Sequence, residues 1–129
     1  MTIVVGYVPT AEGEAVLARA GDEARLRSEG LVVVSSTRGE SNVGPAYPQT
    51  SALMRLITDL KAADVDVEVY HKERASDPAD EILAAAEEVG ASLVVVGLKK
   101  RSAVGKLLLG STAHKVILTA HCSVLGVRP

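Results

Sequence analysis

The chain has 129 residues, 47% of them hydrophobic, which is enough to build one domain with a full core. Its three aromatic residues are all tyrosines, which excludes the base-stacking platforms of single-stranded nucleic-acid binders. The net charge of −2 provides no overall field toward DNA or a membrane surface. We therefore expect a single domain over residues 1–129, with neither nucleic acid nor a membrane as partner.

The cysteine content and the apolar runs bear on the compartment. Cys122 is the one cysteine, so no internal disulfide forms and a reducing environment fits. The chain does not begin with a basic segment followed by an apolar one, and no apolar run approaches the roughly 20 residues that span a bilayer. These features predict a soluble cytoplasmic protein.

The first half of the chain predicts two strand–helix units. Ile3–Tyr7 and Leu31–Ser35 are apolar runs without alternation, typical of parallel strands covered on both faces. Helical spacing follows each of them, over about Glu12–Glu29 and about Gln49–Ala63, and we expect Gly30 to end the first helix. The apolar stripes of these helices are Leu17, Ala20, Ala24 and Leu53, Leu56, Ile57, Leu60.

A third strand and a third helix follow. Val65–Tyr70 alternates valines with acids, which indicates a half-exposed strand at a sheet edge. The pair Asp77-Pro78 predicts a helix start, with Asp77 as the cap and Pro78 at the first helical position, and Gly90 is expected to end the helix. The buried stripe of this helix is predicted to be Ile82, Ala85, Ala86 and Val89.

The last units complete a parallel sheet. Leu93–Val96 is the most apolar strand and is expected to be central, a helix over about Thr112–Ala120 follows, and Ser123–Val127 is a last short strand at the other edge. The stripe of the last helix is Ala113, Val116, Ile117 and Ala120. The alternation predicts an α/β fold with a five-stranded parallel sheet of order 3-2-1-4-5 and helices on both faces. Ligands of such sheets bind where the order reverses, beyond the first and fourth strands.

The segment from Leu93 to Thr112 carries the clearest functional signal. The apolar run ends in Gly97, a basic loop follows, and Gly110-Ser111-Thr112 begins the last helix. Glycines allow close backbone approach, and the amides at a helix N-terminus attract anions. This order suits a phosphate-bearing ligand, whereas the residues alone fit a helix cap beside a solvated basic loop equally well.

The spacing of this segment resembles that of the universal stress protein family. That family has a glycine after the fourth strand, two residues, a glycine, nine residues, and Gly-Ser or Gly-Thr. Gly97, Gly110 and Ser111 occupy these places, and Lys100 stands at the middle glycine. The segments IVVGYVP, SDPADEILAAAEEVGASLVVVG and GKLLLGSTAHKVILTAHCSVLGV extend the resemblance over most of the chain.

The resemblance implies a fold, a ligand and an assembly. The fold is Rossmann-like, of the adenine nucleotide alpha hydrolase type. The ligand is ATP or another adenine nucleotide, with Mg²⁺ as a candidate companion. The assembly is a homodimer formed through the last strand, and protein partners are candidates as well.

The candidate binding residues divide by the part of a nucleotide that each would meet. Gly110, Ser111 and Thr112 would supply amides and hydroxyls to phosphates, and Gly97 would leave room for the ribose or α-phosphate. Arg101 and Lys106 would neutralise terminal phosphates. The base or sugar would be lined by Val8, Pro9 and Val34.

Two departures from the family pattern leave alternatives open. Val8 stands where nucleotide-binding relatives usually have an aspartate. Lys100 either fills the phosphate space with its side chain or attracts phosphate with its charge. The first hypothesis is a nucleotide-binding sensor in the stress response. The second is a dimerisation module of the same family that binds proteins and no nucleotide.

An enzyme is the least favoured hypothesis, because no catalytic constellation is found. The loop does not have the spacing of a Walker motif, since Gly97 lies too far from Gly105-Lys106. His114, His121 and Cys122 lack the spacing of a metal site and are expected to serve packing or the surface. We therefore assign neither catalytic nor metal-binding residues.

Overall fold

The computed structural model describes residues 1–35, 47–70, 77–100 and 107–128. Within these ranges the elements, in chain order, are β1 (Thr2–Tyr7), α1 (Ala11–Arg27), β2 (Gly30–Ser35), α2 (Tyr47–Ala62), β3 (Val67–Tyr70), α3 (Pro78–Val89), β4 (Leu93–Gly97), β5 (Lys99–Lys100), β6 (Leu107–Leu108), α4 (Ser111–Thr119) and β7 (Ser123–Val127). Among these helices, none combines the length and the apolarity that a bilayer crossing needs.

The main sheet has the order β3-β2-β1-β4-β7, and all of its neighbouring strands are parallel. Val4 of β1 pairs with Val32 of β2 on one side and with Val94 of β4 on the other, so β1 is the central strand. The fourth strand was predicted to be central, but β4 lies between β1 and the edge strand β7, where both of its faces are still covered. The predicted order 3-2-1-4-5 is confirmed, with β7 as the fifth strand. The predicted edge position of the acidic strand β3 is confirmed as well.

Alternate residues of the strands enter two separate cores. On one face, Val5 and Val33 pack with apolar side chains of α1 and α2, and on the other face Val4 and Val94 pack with those of α3 and α4. The predicted stripes of α1, α2 and α3 all lie in these cores, either buried or partly buried against them. Coverage of both faces explains why the strands are continuous apolar runs.

Two details of the helices differ from the prediction. Gly30 does not end α1, because Ser28 already adopts the left-handed conformation at φ 55° and ψ 46°, and Gly30 is the first residue of β2. The other difference is Ile117, which was predicted to be buried but is 42% exposed. Helix α4 has nine residues, and its contact face is therefore narrow, formed by Ala113 and Val116 with Ala120 packed beside them.

The segment between β4 and α4 also differs from the predicted loop. Lys99–Lys100 and Leu107–Leu108 form an antiparallel pair, with Lys100 opposite Leu107. Strands of two residues are too short to produce a periodic pattern, so they could not be predicted from the sequence.

Among the described residues, Tyr7 has the largest fully buried side chain, and none of them provides a hydrogen-bond partner for its hydroxyl group. Burial raises the pKa of Tyr7, and the charge of Glu14 raises it further. An unpaired buried hydroxyl destabilises the folded state. We expect Tyr7→Phe to increase the free energy of unfolding by about 1 kcal/mol.

Urea denaturation of this variant tests that expectation, with Tyr70→Phe as the matched control. Tyr70 donates a hydrogen bond to Glu88 Oε1 at 3.0 Å, so its variant is expected to lose stability slightly. A clear loss of stability in Tyr7→Phe would show that the hydroxyl has a partner.

Candidate functional site

A cavity of about 550 Å³ opens at the carboxyl ends of β1 and β4, where the strand order reverses. The ends of β1, β2 and β4 form its floor, and the first turns of α1, α3 and α4 surround it. Ligands of open parallel sheets bind in this crevice. The topology alone therefore places the candidate site here.

One part of the cavity wall is apolar. Its branched side chains come from both sheet faces and are Val8, Val16, Val34, Ile82, Val96 and Leu98. Most small-molecule sites combine such a wall with a few polar groups that fix orientation. This wall suits an uncharged ring.

The N-terminus of α4 provides the polar end. Gly110 is the N-cap, with φ −70° and ψ 166°, and its carbonyl accepts the N–H of His114 at 2.9 Å. Since glycine has no side chain, no cap hydrogen bond satisfies the first amides of α4. Ser111, Thr112 and Ala113 all line the cavity. A phosphate group would accept hydrogen bonds from these first amides and interact favourably with the helix dipole.

The first turn of α1 is fixed closely against the end of β1. Thr10 caps the helix, since its Oγ1 accepts the Gly13 N–H at 3.0 Å, and its own N–H donates to Val8 O at 2.8 Å. A Cβ atom on Gly13 would lie 1.8 Å from that same Val8 oxygen. The backbone here therefore tolerates only glycine, and the contact holds Val8 at the cavity mouth.

Gly97 provides a second close contact. A Cβ atom there would lie 2.8 Å from Val16 Cγ2, so the glycine allows α1 to pack over the end of β4. Both residues line the cavity. Gly97 thus shapes the wall by helix packing.

Acidic residues flank Pro78, which lines the cavity, at the start of α3. Asp77 occupies the N-cap position, but its side chain makes no cap hydrogen bond and lies 3.6 Å from Lys115 Nζ. Lys115 also pairs with Asp80 at 2.7 Å, and the hydrogen bond with Asp80 is the main cause of the raised pKa of Lys115. Burial, and secondarily Asp77, raises the pKa of Glu81. Lys115 thus connects α4 to α3 by ion pairs. Its positive charge also offsets the charges of Asp77 and Asp80, which would repel an anion.

The remaining titratable candidates lie apart from this cavity. His114 and His121 are exposed, and Cys122 is half-buried with its pKa raised by burial. Within the described ranges, no three His, Cys, Asp or Glu side chains are grouped so that they would hold a metal ion.

The structure brings most of the predicted binding residues together. Those that line the cavity are Val8, Val34, Gly97, Gly110, Ser111 and Thr112. Pro9 follows Val8 in the chain but is not among the described lining residues. The backbone of Lys100 lies in β5, whereas Arg101 and Lys106 lie outside the described residues.

Sequence reasoning missed several lining residues, notably Tyr7, Thr10, Glu12 and Ile82. Thr10 had a usable signal, because a threonine before a helical pattern is a common N-cap. Ile82 was predicted as core, and it is both core and cavity wall. Glu12 carried no local signal that distinguishes it from the other acids of α1.

Comparison with known proteins places the chain among relatives. The family model described as "Universal stress protein family" matches residues 1–128. A universal stress protein of Mycolicibacterium smegmatis is 33% identical over 127 residues, which are 98% of this chain and 97% of that protein.

Solved structures agree with this assignment. The universal stress protein from Archaeoglobus fulgidus in complex with dAMP superposes with a TM-score of 0.74 at 29% identity, over 98% of this chain and 96% of that one. A universal stress protein in complex with cAMP gives 0.73 at 28% identity, over 99% and 96% of the two chains. Sequence, fold and cavity position thus agree, and the chain belongs to the universal stress protein family.

Proposed function

We propose that this chain binds an adenine nucleotide in the cavity and acts as a single-domain cytoplasmic sensing module of the stress response. The observation that carries the proposal is the cavity itself. An apolar wall and the uncapped N-terminus of α4 face one space, where the sheet order reverses. These are the two chemical environments that the base and the phosphate of a nucleotide require. The dAMP and cAMP complexes of the two related structures support the choice of an adenine nucleotide.

The roles of the site residues follow the two ends of the cavity. Gly110, Ser111 and Thr112 bind phosphate, and Gly97 shapes the adjoining wall by allowing Val16 to pack against it. Val8, Pro9 and Val34 meet the base or sugar. The basic side chains of Lys100, Arg101 and Lys106 neutralise the phosphates, and Mg²⁺ accompanies the nucleotide where more than one phosphate is present.

Lys100 in place of a glycine does not strain the backbone. It lies in the paired strand β5, whereas positive φ values among described non-glycine residues occur at Ser28 and Asp64. An extended residue accepts a side chain freely. The lysine therefore adds a positive charge to this segment without a conformational cost.

Calorimetric titration with ATP, ADP, AMP and cAMP, with and without Mg²⁺, tests the proposal. Saturable binding of at least one nucleotide is expected, accompanied by thermal stabilisation. No heat and no thermal shift with any of them would reject it. We propose binding without turnover, so phosphate release from ATP is expected to equal that of a Lys106→Ala, Ser111→Ala control.

A second candidate function is a protein-interaction module without a nucleotide. Val8 favours it, because this apolar side chain is 45% exposed at the cavity mouth, where a polar residue would serve a nucleotide better. The absorbance ratio of the supernatant after denaturation of the purified protein separates the two candidates. Released nucleotide supports the first candidate. If no nucleotide is released and the titrations show no binding, the second candidate is supported.

We further propose a homodimer formed through β7. Leu98 donates its N–H to the backbone carbonyl of Val127 at 2.9 Å. The backbone N–H and C=O groups of Val127 therefore point toward β4. Because backbone groups alternate along a strand, Val124 and Gly126 point to the opposite side, which is unpaired in the described chain. An unpaired apolar edge favours pairing with a second copy.

Light scattering at micromolar concentration is expected to give a dimer mass. Val124→Pro removes one N–H of the outer edge without removing a bond to β4, so it is expected to shift the mass to the monomer while the fold is kept. Val124→Thr, which keeps the N–H, should remain a dimer. A monomeric wild-type chain would contradict the dimer.

A further inference from the structure

Glu12 is the one carboxylate among the described residues that line the cavity. It lies in the first turn of α1, where an acid also interacts favourably with the helix dipole. Glu14 lies in the same turn but is not among the described lining residues. The helix therefore has a second acid for the dipole, and the position of Glu12 calls for a separate explanation.

The cavity is electrostatically polarised between two helix ends. The first turn of α4 presents uncapped amides, whereas the first turn of α1 presents a carboxylate and has its Gly13 amide already occupied by Thr10. A phosphate is attracted by the first and repelled by the second. A nucleotide that places its phosphate at α4 therefore directs an uncharged part toward Glu12.

A carboxylate accepts hydrogen bonds and donates none. The neighbouring hydroxyl groups of ribose match its two oxygens, and an acidic residue binds ribose in this way in dinucleotide-binding folds. We propose that Glu12 accepts hydrogen bonds from the ribose hydroxyls of the bound nucleotide, so that the chain prefers ribonucleotides to 2′-deoxyribonucleotides. This inference rests on the proposed nucleotide binding.

Titration of AMP and dAMP into wild type, Glu12→Ala and Glu14→Ala tests the inference. The wild type is expected to bind AMP about tenfold more tightly than dAMP, the effect of one hydrogen bond to a charged group. In Glu12→Ala the ratio should fall below about twofold, and in Glu14→Ala it should stay near tenfold. Glu12→Gln, which keeps the side-chain size, should give an intermediate ratio because neutral hydrogen bonds are about half as strong.

The outcomes distinguish this inference from the function on which it rests. Equal wild-type affinity for AMP and dAMP would overturn the role of Glu12 and leave nucleotide binding intact. An equal loss of both affinities in Glu12→Ala would also overturn the proposed preference, because the carboxylate would then contact a group that AMP and dAMP share, either the 3′-hydroxyl or the base. If wild type binds neither nucleotide nor any other adenine nucleotide, the proposed function itself fails.

Discussion

Replacing Gly110 by aspartate is expected to weaken nucleotide binding about 100-fold while the stability of the fold is retained. Gly110 is the N-cap of α4, with backbone angles that any residue adopts. An aspartate there would accept hydrogen bonds from the first amides of the helix, where the phosphate is proposed to bind. It would also place a negative charge at the phosphate position.

The matched variant Gly110→Asn separates two effects of the aspartate, its hydrogen bonds to the first amides of α4 and its negative charge. Asparagine caps as well as aspartate does but carries no charge, so a loss of about tenfold is expected. Thermal unfolding of both apo variants should match or slightly exceed that of the wild type, since replacing glycine at an N-cap changes stability by a few tenths of a kcal/mol. If Gly110→Asp bound AMP as tightly as the wild type, the phosphate would not lie at this helix end.

Gly13→Ala is expected to lower the free energy of unfolding by about 3 kcal/mol. Its Cβ atom would lie 1.8 Å from Val8 O, an atom of the backbone that cannot rotate away. Movement of the helix start would also break the bond from Gly13 N–H to Thr10 Oγ1. Because Val8 and Gly13 line the cavity, nucleotide affinity should fall together with stability.

Gly21→Ala is the control within the same helix. Both substitutions replace a helical glycine by alanine, so the difference between their stabilities reports mainly the contact at Val8 and the cap bond that it disturbs. The Cβ atom at Gly21 would meet Leu60 Cδ2 at 2.3 Å, the end of a flexible side chain that can turn away. Urea denaturation should therefore show a net loss of less than about 1 kcal/mol for Gly21→Ala. Equal losses in the two variants would contradict the tight contact at Val8.

The fold was predictable because each element has its own local signal. The strands β1, β2 and β4 are buried on both faces, which produces unbroken apolar runs, and β3 alternates because it lies at an edge. Helices α1, α2 and α3 have 17, 16 and 12 residues, which is more than three turns each, so their buried faces are broad. In the short helix α4 the same reasoning placed Ile117 inside, although it is exposed. Similarly, glycine was expected to end α1, whereas Ser28 adopts the left-handed turn.

The candidate site was predictable where the chain itself brings its parts together. Gly97, Gly110 and Ser111 belong to one strand–loop–helix segment, and their spacing marked them. Ile82 and Glu12 reach the same cavity from other helices, which only the packing of α1 and α3 against the sheet determines. The hairpin of β5 and β6 was missed because its strands have two residues each.

A crystal structure of the full chain with AMP would locate the phosphate and the base. The phosphate is expected within hydrogen-bond distance of the Ser111 and Thr112 amides, with the adenosine against the apolar wall near Val34. AMP bound elsewhere on the chain, or the cavity left without nucleotide at saturating AMP, would contradict it.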